Sequence, residues 1–263
     1  LADSTTRAEL LDLPFDVETM QGVIDRCLEW CAQPRAPHTV ITANSGILCM
    51  MRSDPELRRA CLAGDLIVAD GMSVVWTSRL TDRPFPERVA GVDLMARLLE
   101  AGAERGLSAY FLGAKPEVVA SLAQVCAERF PGLKVAGFRD GYFKPDQHTD
   151  IVEEIRAAKP HFLFVGMPTP FKEIWCERHR ERLDVPVIFG VGGSFDVIAG
   201  HVRRAPPWVQ RMGMEWSWRL LMEPRKMWKR YLVTNAQFIA LATREVVSRR
   251  RAAGARQKEG MRS

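Results

Sequence analysis

No run of about 18 consecutive apolar residues occurs in this 263-residue chain, so no transmembrane helix is expected. No basic-then-apolar leader opens it, which argues against a signal peptide. The six cysteines are Cys27, Cys31, Cys49, Cys61, Cys126 and Cys176, and none forms a C-x-x-C pair. Each sits among apolar residues, so they read as small core hydrophobes of a reducing compartment rather than a disulfide framework. Cys176 and His179 have a spacing that begins a metal site, but no second pair completes it, and there is no H-E-x-x-H. No bound metal and no cofactor are therefore expected. A Walker motif, a G-x-S-x-G turn and internal repeats are all missing, which excludes P-loop nucleotidases, serine hydrolases of that type and solenoids. A G-x-G-x-x-G turn after the first strand is missing as well, which argues against a dinucleotide enzyme.

What is present is ordinary in amount and uneven in place. A hydrophobic content of 47% and a charged content of 26% describe a water-compatible globular chain that can bury a full core. From His201 onward, however, lie 15 of the 37 Lys+Arg and only 4 of the 32 Asp+Glu, a net of +11 against −6 for the rest. Four of the seven tryptophans, Trp208, Trp216, Trp218 and Trp228, fall between His201 and Tyr231 among arginines. A basic, tryptophan-bearing tail on a mildly acidic body points to a polyanionic partner: anionic lipid, phosphates or nucleic acid. A tail helix packed on the body with its charges in water is the alternative.

The body alternates short apolar runs with helical stripes. Strands are expected around 38–43, 65–69, 108–112, 133–137, 162–165 and 187–189, with helices at 17–31, 47–63 and 92–105, and further helices ending near Phe130 and around Ile155 and Trp175. Such alternation predicts an α/β fold, a Rossmann-like parallel sheet with helices on both faces. The division expected is a catalytic domain over 1–200 and a basic helical appendage over 201–263 that targets the membrane and completes the site.

The stretch Asp65–Leu94 carries the first candidates. Its strand ends abruptly in Asp70-Gly71, and a carboxylate at the carboxyl end of a buried strand faces the crevice where open α/β sheets bind ligands. Asp70 reads as a base in a cleft with Arg88 near it, or as the cap of the next helix. Thr42 and Asn44 end the preceding strand, where Asn44-Ser45-Gly46 also reads as a plain turn. Gly113 opens a strand–turn–helix whose backbone amides could hold a diphosphate.

These residues carry a resemblance. Thr42-Ala43-Asn44, Ala69-Asp70-Gly71, Glu87-Arg88-Val89-Ala90-Gly91, Phe111-Leu112-Gly113, Gly141-Tyr142-Phe143 and Val191-Gly192-Gly193-Ser194-Phe195-Asp196 are similar, in order, to motifs of the WecG/TagA/CpsF family of bacterial glycosyltransferases. Arg204-Ala205-Pro206, Glu215-Trp216, Arg219-Leu220 and Glu223-Pro224-Arg225 extend it into the tail. One departure stands out: Pro170-Phe171-Lys172-Glu173-Ile174-Trp175 has Lys172 where many relatives have glutamine near the donor.

The resemblance implies an inverting enzyme without a required metal. It would move N-acetylmannosamine, its uronic acid or glucose from a UDP-sugar to a polyprenyl-diphosphate-linked saccharide, in exopolysaccharide or other cell-surface polysaccharide synthesis. The expected place is the cytoplasm, peripheral on the inner face of the plasma membrane, against an anionic lipid surface. A homo-oligomer is an open possibility, and nucleic acid is not an expected partner. Asp70 would take the proton of the attacking hydroxyl, and Thr42 and Asn44 would orient sugar hydroxyls. The chain has no Asp-x-Asp pair to hold a divalent ion, so arginines would neutralise the leaving UDP: Arg88, Arg219 and Arg225, with Arg204 or Arg230. Tyr142 would stack on uracil and Asp196 would accept ribose hydroxyls, unless they are a core aromatic and a helix cap. Lys172, Glu173 and Gly192 complete the expected donor side. Two other classes stay open: a nucleotide-sugar dehydrogenase or epimerase, and a non-enzymatic nucleic-acid binder using the tail.

Overall fold

Six runs of four to six residues pair side by side into one parallel sheet, in the spatial order 66–69, 38–43, 187–190, 162–166, 108–113 and 134–139. Runs this short cannot satisfy their backbone alone, and parallel pairing buries both faces of all but the edge strand at 134–139, which has no fully buried residue. The structure, a computed structural model, describes residues 7–222 and 233–249. Its elements are β1 (Arg7–Leu10), β2 (Leu13–Asp16), α1 (Met20–Ala32), β3 (His38–Ala43), α2 (Ser45–Met50), α3 (Pro55–Leu62), β4 (Leu66–Ala69) and α4 (Met72–Ser78). There follow α5 (Gly91–Glu104), β5 (Ser108–Gly113), α6 (Pro116–Arg129), β6 (Lys134–Arg139), α7 (His148–Ala158), β7 (Phe162–Gly166), α8 (Phe171–Leu183), β8 (Val187–Gly190) and α9 (Ser194–Ile198). Then come α10 (Pro207–Arg211) and α11 (Glu215–Met222), and α12 over 233–249.

Alternate strand residues serve opposite faces, as the two-residue period requires. Val40, Leu66, Val68, Phe111, Phe164 and Phe189 pack with α1, α5, α6 and α9. Ile41, Ala43, Ile67 and Ala69 pack instead with α2, α3 and α4, while Tyr110, Leu163 and Ile188 pack with α7 and α8. The expected Rossmann-like α/β sheet, covered on both faces, is therefore present. The chain leaves β3 toward α2 on one face and leaves the neighbouring β8 toward α9 on the other. Connections that part in this way open a crevice at the carboxyl ends of the two strands.

Two local readings change. The expected helix over 47–63 is two helices, because Asp54 caps α3 by accepting from the Leu57 amide at 2.9 Å and Pro55 begins that helix. A proline there cannot donate back into α2. Ahead of the sheet, β1 and β2 form an antiparallel hairpin that the alternation did not reveal, turning through Leu11 and Asp12 at φ of 54° and 62°. Buried Asp16 ties it to the sheet, pairing with Arg7 at 3.0 Å and accepting from the Ile67 amide at 2.8 Å. Helix α12 lies against this same corner: Phe238 is buried among hairpin and α2 side chains.

Candidate active site

The carboxyl ends of β3 and β4 meet in register, Thr42 beside Val68 and Ala43 beside Ala69. The ladder continues one step, with the Asp70 amide donating to the Ala43 carbonyl at 2.9 Å. Gly71 then takes φ of 135°, a backbone region that side chains resist, and turns the chain into α4. Asp70 does not cap α4, whose first turn carries no side-chain cap. Its Oδ2 instead accepts, at 3.3 Å, from the amide of Gly91 in the first turn of α5. The Val89 amide donates to the Ala69 carbonyl at 2.9 Å, which draws residues 87–91 alongside the end of β4. Gly91 keeps the space clear: a Cβ there would lie 3.2 Å from Thr42 Oγ1 and 3.6 Å from Asp70 Oδ2. A hydroxyl and a carboxylate thus converge on one point at the crevice. Asn44 is exposed at the same edge and caps α2, its Oδ1 accepting from the Ile47 amide at 3.1 Å. Its role as a turn residue is therefore real, and its side-chain amide nitrogen remains outside that bond.

Arg88 follows on the same segment and is engaged by carboxylates. Its Nη1 lies 2.5 Å from Glu215 Oε2 and its Nη2 4.0 Å from Asp93 Oδ2. Arg204 completes the cluster, with Nε 3.1 Å from Glu215 Oε1 and both terminal nitrogens on Asp93, one at 2.7 Å. The Asp93 hydrogen bonds push the Arg204 guanidinium further up. Glu215 of α11 thus sits between two arginines of the expected diphosphate set, bridging the tail to the crevice. Asp93 and Glu215 were not among the expected site residues. No spacing signal joins Arg88 to a glutamate 127 positions away.

Comparison with known proteins bears on this arrangement. The profile described as "Glycosyl transferase WecG/TagA/CpsF family" matches residues 8–252. The chain belongs to this family. It is accordingly a glycosyltransferase. A relative from Bacillus spizizenii is 35% identical over 193 residues, covering 73% of this chain and 74% of its own. Another from Bacillus subtilis is 30% identical over 221 residues, covering 84% and 85%. Both are named N-acetylglucosaminyldiphosphoundecaprenol N-acetyl-beta-D-mannosaminyltransferase.

The remaining WecG/TagA/CpsF-type positions divide into crevice, core and rim. Lys172 is buried, with its methylenes under the β8 loop: a Cβ on Gly190 would meet Lys172 Cδ at 3.2 Å, and one on Gly192 would meet Cε at 3.8 Å. Its ammonium pairs with Glu173, which also accepts from the Thr169 hydroxyl at 3.0 Å. Burial pulls the Lys172 ammonium down to about 8, opposed by the charge of Asp70. Lys172, Glu173, Thr39 and Thr42 line a cavity of about 10 Å³ beneath the crevice, room for roughly one water. Cys61 and Cys176 are pushed up to about 12 by burial, so both stay neutral thiols.

Gly113 has a packing reason for being glycine. At φ of 126°, any Cβ would lie 2.6 Å from the Gly166 backbone, and the Ala114 amide is already donated to the Gly166 carbonyl at 2.9 Å. Tyr142 is 73% exposed on the rim, so it is not a core aromatic. Asp196 lies in the first turn of α9, whose N-cap is Gly193. The side chain of Arg219, together with Arg225 and Arg230, lies outside the described residues. Among the described residues no group of three or more His, Cys, Asp or Glu side chains is placed to hold a metal ion.

Proposed function

We propose that this glycosyltransferase moves a sugar from a UDP-sugar to a polyprenyl-diphosphate-linked saccharide, with inversion and without a metal ion, in the synthesis of a cell-surface polysaccharide. The observation that carries this reading is the convergence of the Thr42 hydroxyl and the Asp70 carboxylate beside Gly91 at the sheet's crevice. In an inverting transfer the acceptor hydroxyl attacks the anomeric carbon from the face opposite UDP. The new C–O bond forms as the bond to the diphosphate breaks. Asp70 takes the hydroxyl proton, and Thr42 and Asn44 orient sugar hydroxyls. The leaving diphosphate is met by arginines: Arg88 and Arg204 after release from Glu215, and Arg219, Arg225 and Arg230 of the tail. Tyr142, exposed on the rim, suits stacking on uracil, and Asp196 suits the ribose. The names of the two Bacillus relatives make N-acetylmannosamine the first donor sugar to test. The tail's basic surplus favours an anionic membrane face, and no helix among the described residues is long and apolar enough to cross a membrane.

The test is transfer from a panel of UDP-sugars to a diphosphoundecaprenol-linked N-acetylglucosamine acceptor, run in excess EDTA. Turnover is expected for one UDP-sugar. Asp70→Asn is expected to lower it about 10²–10⁴-fold with UDP affinity little changed. Strict dependence on Mg²⁺ or Mn²⁺, or a near-normal Asn variant, refutes the mechanism.

A further inference from the structure

Six of the twelve large hydrophobic side chains exposed among the described residues lie on or just after α4, or within 202–221. Trp76 and Leu80 are 46% and 57% exposed, one helical turn apart, α4 being continued by a turn in which the Leu80 amide donates to the Thr77 carbonyl at 3.0 Å. Trp208 and Met212 are 57% and 58% exposed, also one turn apart, with the Met212 amide donating to the Trp208 carbonyl at 3.1 Å. The two pairs adjoin. Gly213, next to Met212, packs on α4 so closely that a Cβ there would lie 2.5 Å from Met72 Cγ and 3.4 Å from Trp76 Cζ2. Body and tail together therefore present one apolar shelf, with exposed Arg79 between Trp76 and Leu80.

We infer that this shelf, half of it from the body, is the surface that enters the headgroup region of an anionic bilayer. Tryptophan beside arginine suits that region, where a ring meets acyl chains and a cation meets phosphate. Position argues for lipid over another protein. Helix α4 begins at Met72, two residues after Asp70, so Trp76 stands only roughly 6 Å of helical rise beyond the crevice end of that helix. A bilayer seated on the shelf would present the diphosphate of a membrane-borne acceptor at the crevice mouth. The inference rests on the lipid-linked acceptor proposed above and adds the body's own share of the contact, which the basic tail alone does not supply.

The experiment uses the full chain and vesicles of phosphatidylglycerol and phosphatidylcholine. Trp76→Glu with Leu80→Glu is expected to weaken co-sedimentation ~10-fold or more, as loss of two buried apolar groups implies. UDP affinity, thermal midpoint and transfer to a water-soluble acceptor analogue are expected to stay at wild-type levels. Trp208→Glu with Met212→Glu is expected to weaken vesicle binding comparably. Wild-type vesicle binding by the Trp76/Leu80 variant overturns the inference and leaves the tail as the anchor. A change from dimer to monomer in that variant, with vesicle binding unaltered, also overturns it and assigns the shelf to a second copy. Failure of every UDP-sugar in the transfer assay, with shelf-dependent vesicle binding intact, refutes the proposed reaction and not the shelf.

Discussion

Lys172 shows most directly how one residue sets the character of this crevice. The fold buries it between the β8 loop and Thr42 rather than leaving it in solvent. Its ammonium holds its proton to about 8 in the fold, against an ordinary value of 10.5. Below pH 8 folded and unfolded chains both carry the charge, and the burial cost is constant. Between about 8 and 10.5 the unfolded chain keeps a proton that the native chain has released, so this group makes stability rise with pH there. Denaturant midpoints measured across that window are expected to show the rise in the wild type, up to about 1.4 kcal/mol per pH unit. The double variant Lys172→Gln, Glu173→Gln should lose it, the second change avoiding a buried carboxylate without its partner. Equal slopes in the two proteins would show that Lys172 stays charged throughout.

At the scale of elements, α5 and α11 are joined through charge. Asp93 in the first turn of α5 and Glu215 in the first turn of α11 share Arg88 and Arg204. Both carboxylates lie where a helix N-terminus favours negative charge, so each serves its own helix and the junction at once. Glu215→Gln keeps the shape and removes one charge from the pairing. Limited trypsin cleavage after Arg203 or Arg204 is expected to speed up about tenfold, since a hydrogen bond to a charged group contributes about 1.5–3 kcal/mol. The melting midpoint of the body should move little. An unchanged cleavage rate would mean that α10 and α11 are held without the Glu215 charge, by buried Ala205 and Val209, the Arg204–Asp93 pair and the packing of Gly213 on α4.

Across the whole molecule, the tail is also part of the packing. Phe238 of α12 is 5% exposed in the cluster that holds the β1–β2 hairpin, α2 and the edge strand β4. Cys49 Sγ reaches the Thr234 carbonyl at 3.7 Å, and Arg249 bonds the Glu9 carbonyl. The last described helix thus closes over the first strand. Phe238→Ala is expected to cost about 3 kcal/mol and lower the melting midpoint on the order of 10 °C, read by calorimetry. A shift of a degree or less would place α12 outside the cooperative unit. A chain cut at Gly200 removes this packing along with the basic charges. Loss of function in such a fragment would therefore not isolate membrane docking, and the shelf substitutions are the cleaner probe.

The sequence by itself determined the sheet and the edge on which its crevice lies. Strand-length apolar runs alternating with helical stripes leave few solutions other than a parallel sheet covered on both faces, because each run must bury two apolar faces and pair its backbone. The order of residues at strand ends then placed Thr42, Asn44 and Asp70 on one edge, since register follows from parallel pairing. The hairpin escaped because its two four-residue strands carry no alternation long enough to read, and its turn uses a leucine at positive φ. Tertiary structure alone decided what each candidate touches. Asp70 meets the first turn of α5 rather than α4, Arg88 and Arg204 meet Glu215, and Lys172 lies buried beneath a glycine loop. Those partners stand 21, 127 and 11 residues away for Asp70, Arg88 and Arg204. Periodicity reports which face a side chain takes, and only the packed chain brings such distant charges within a few ångströms.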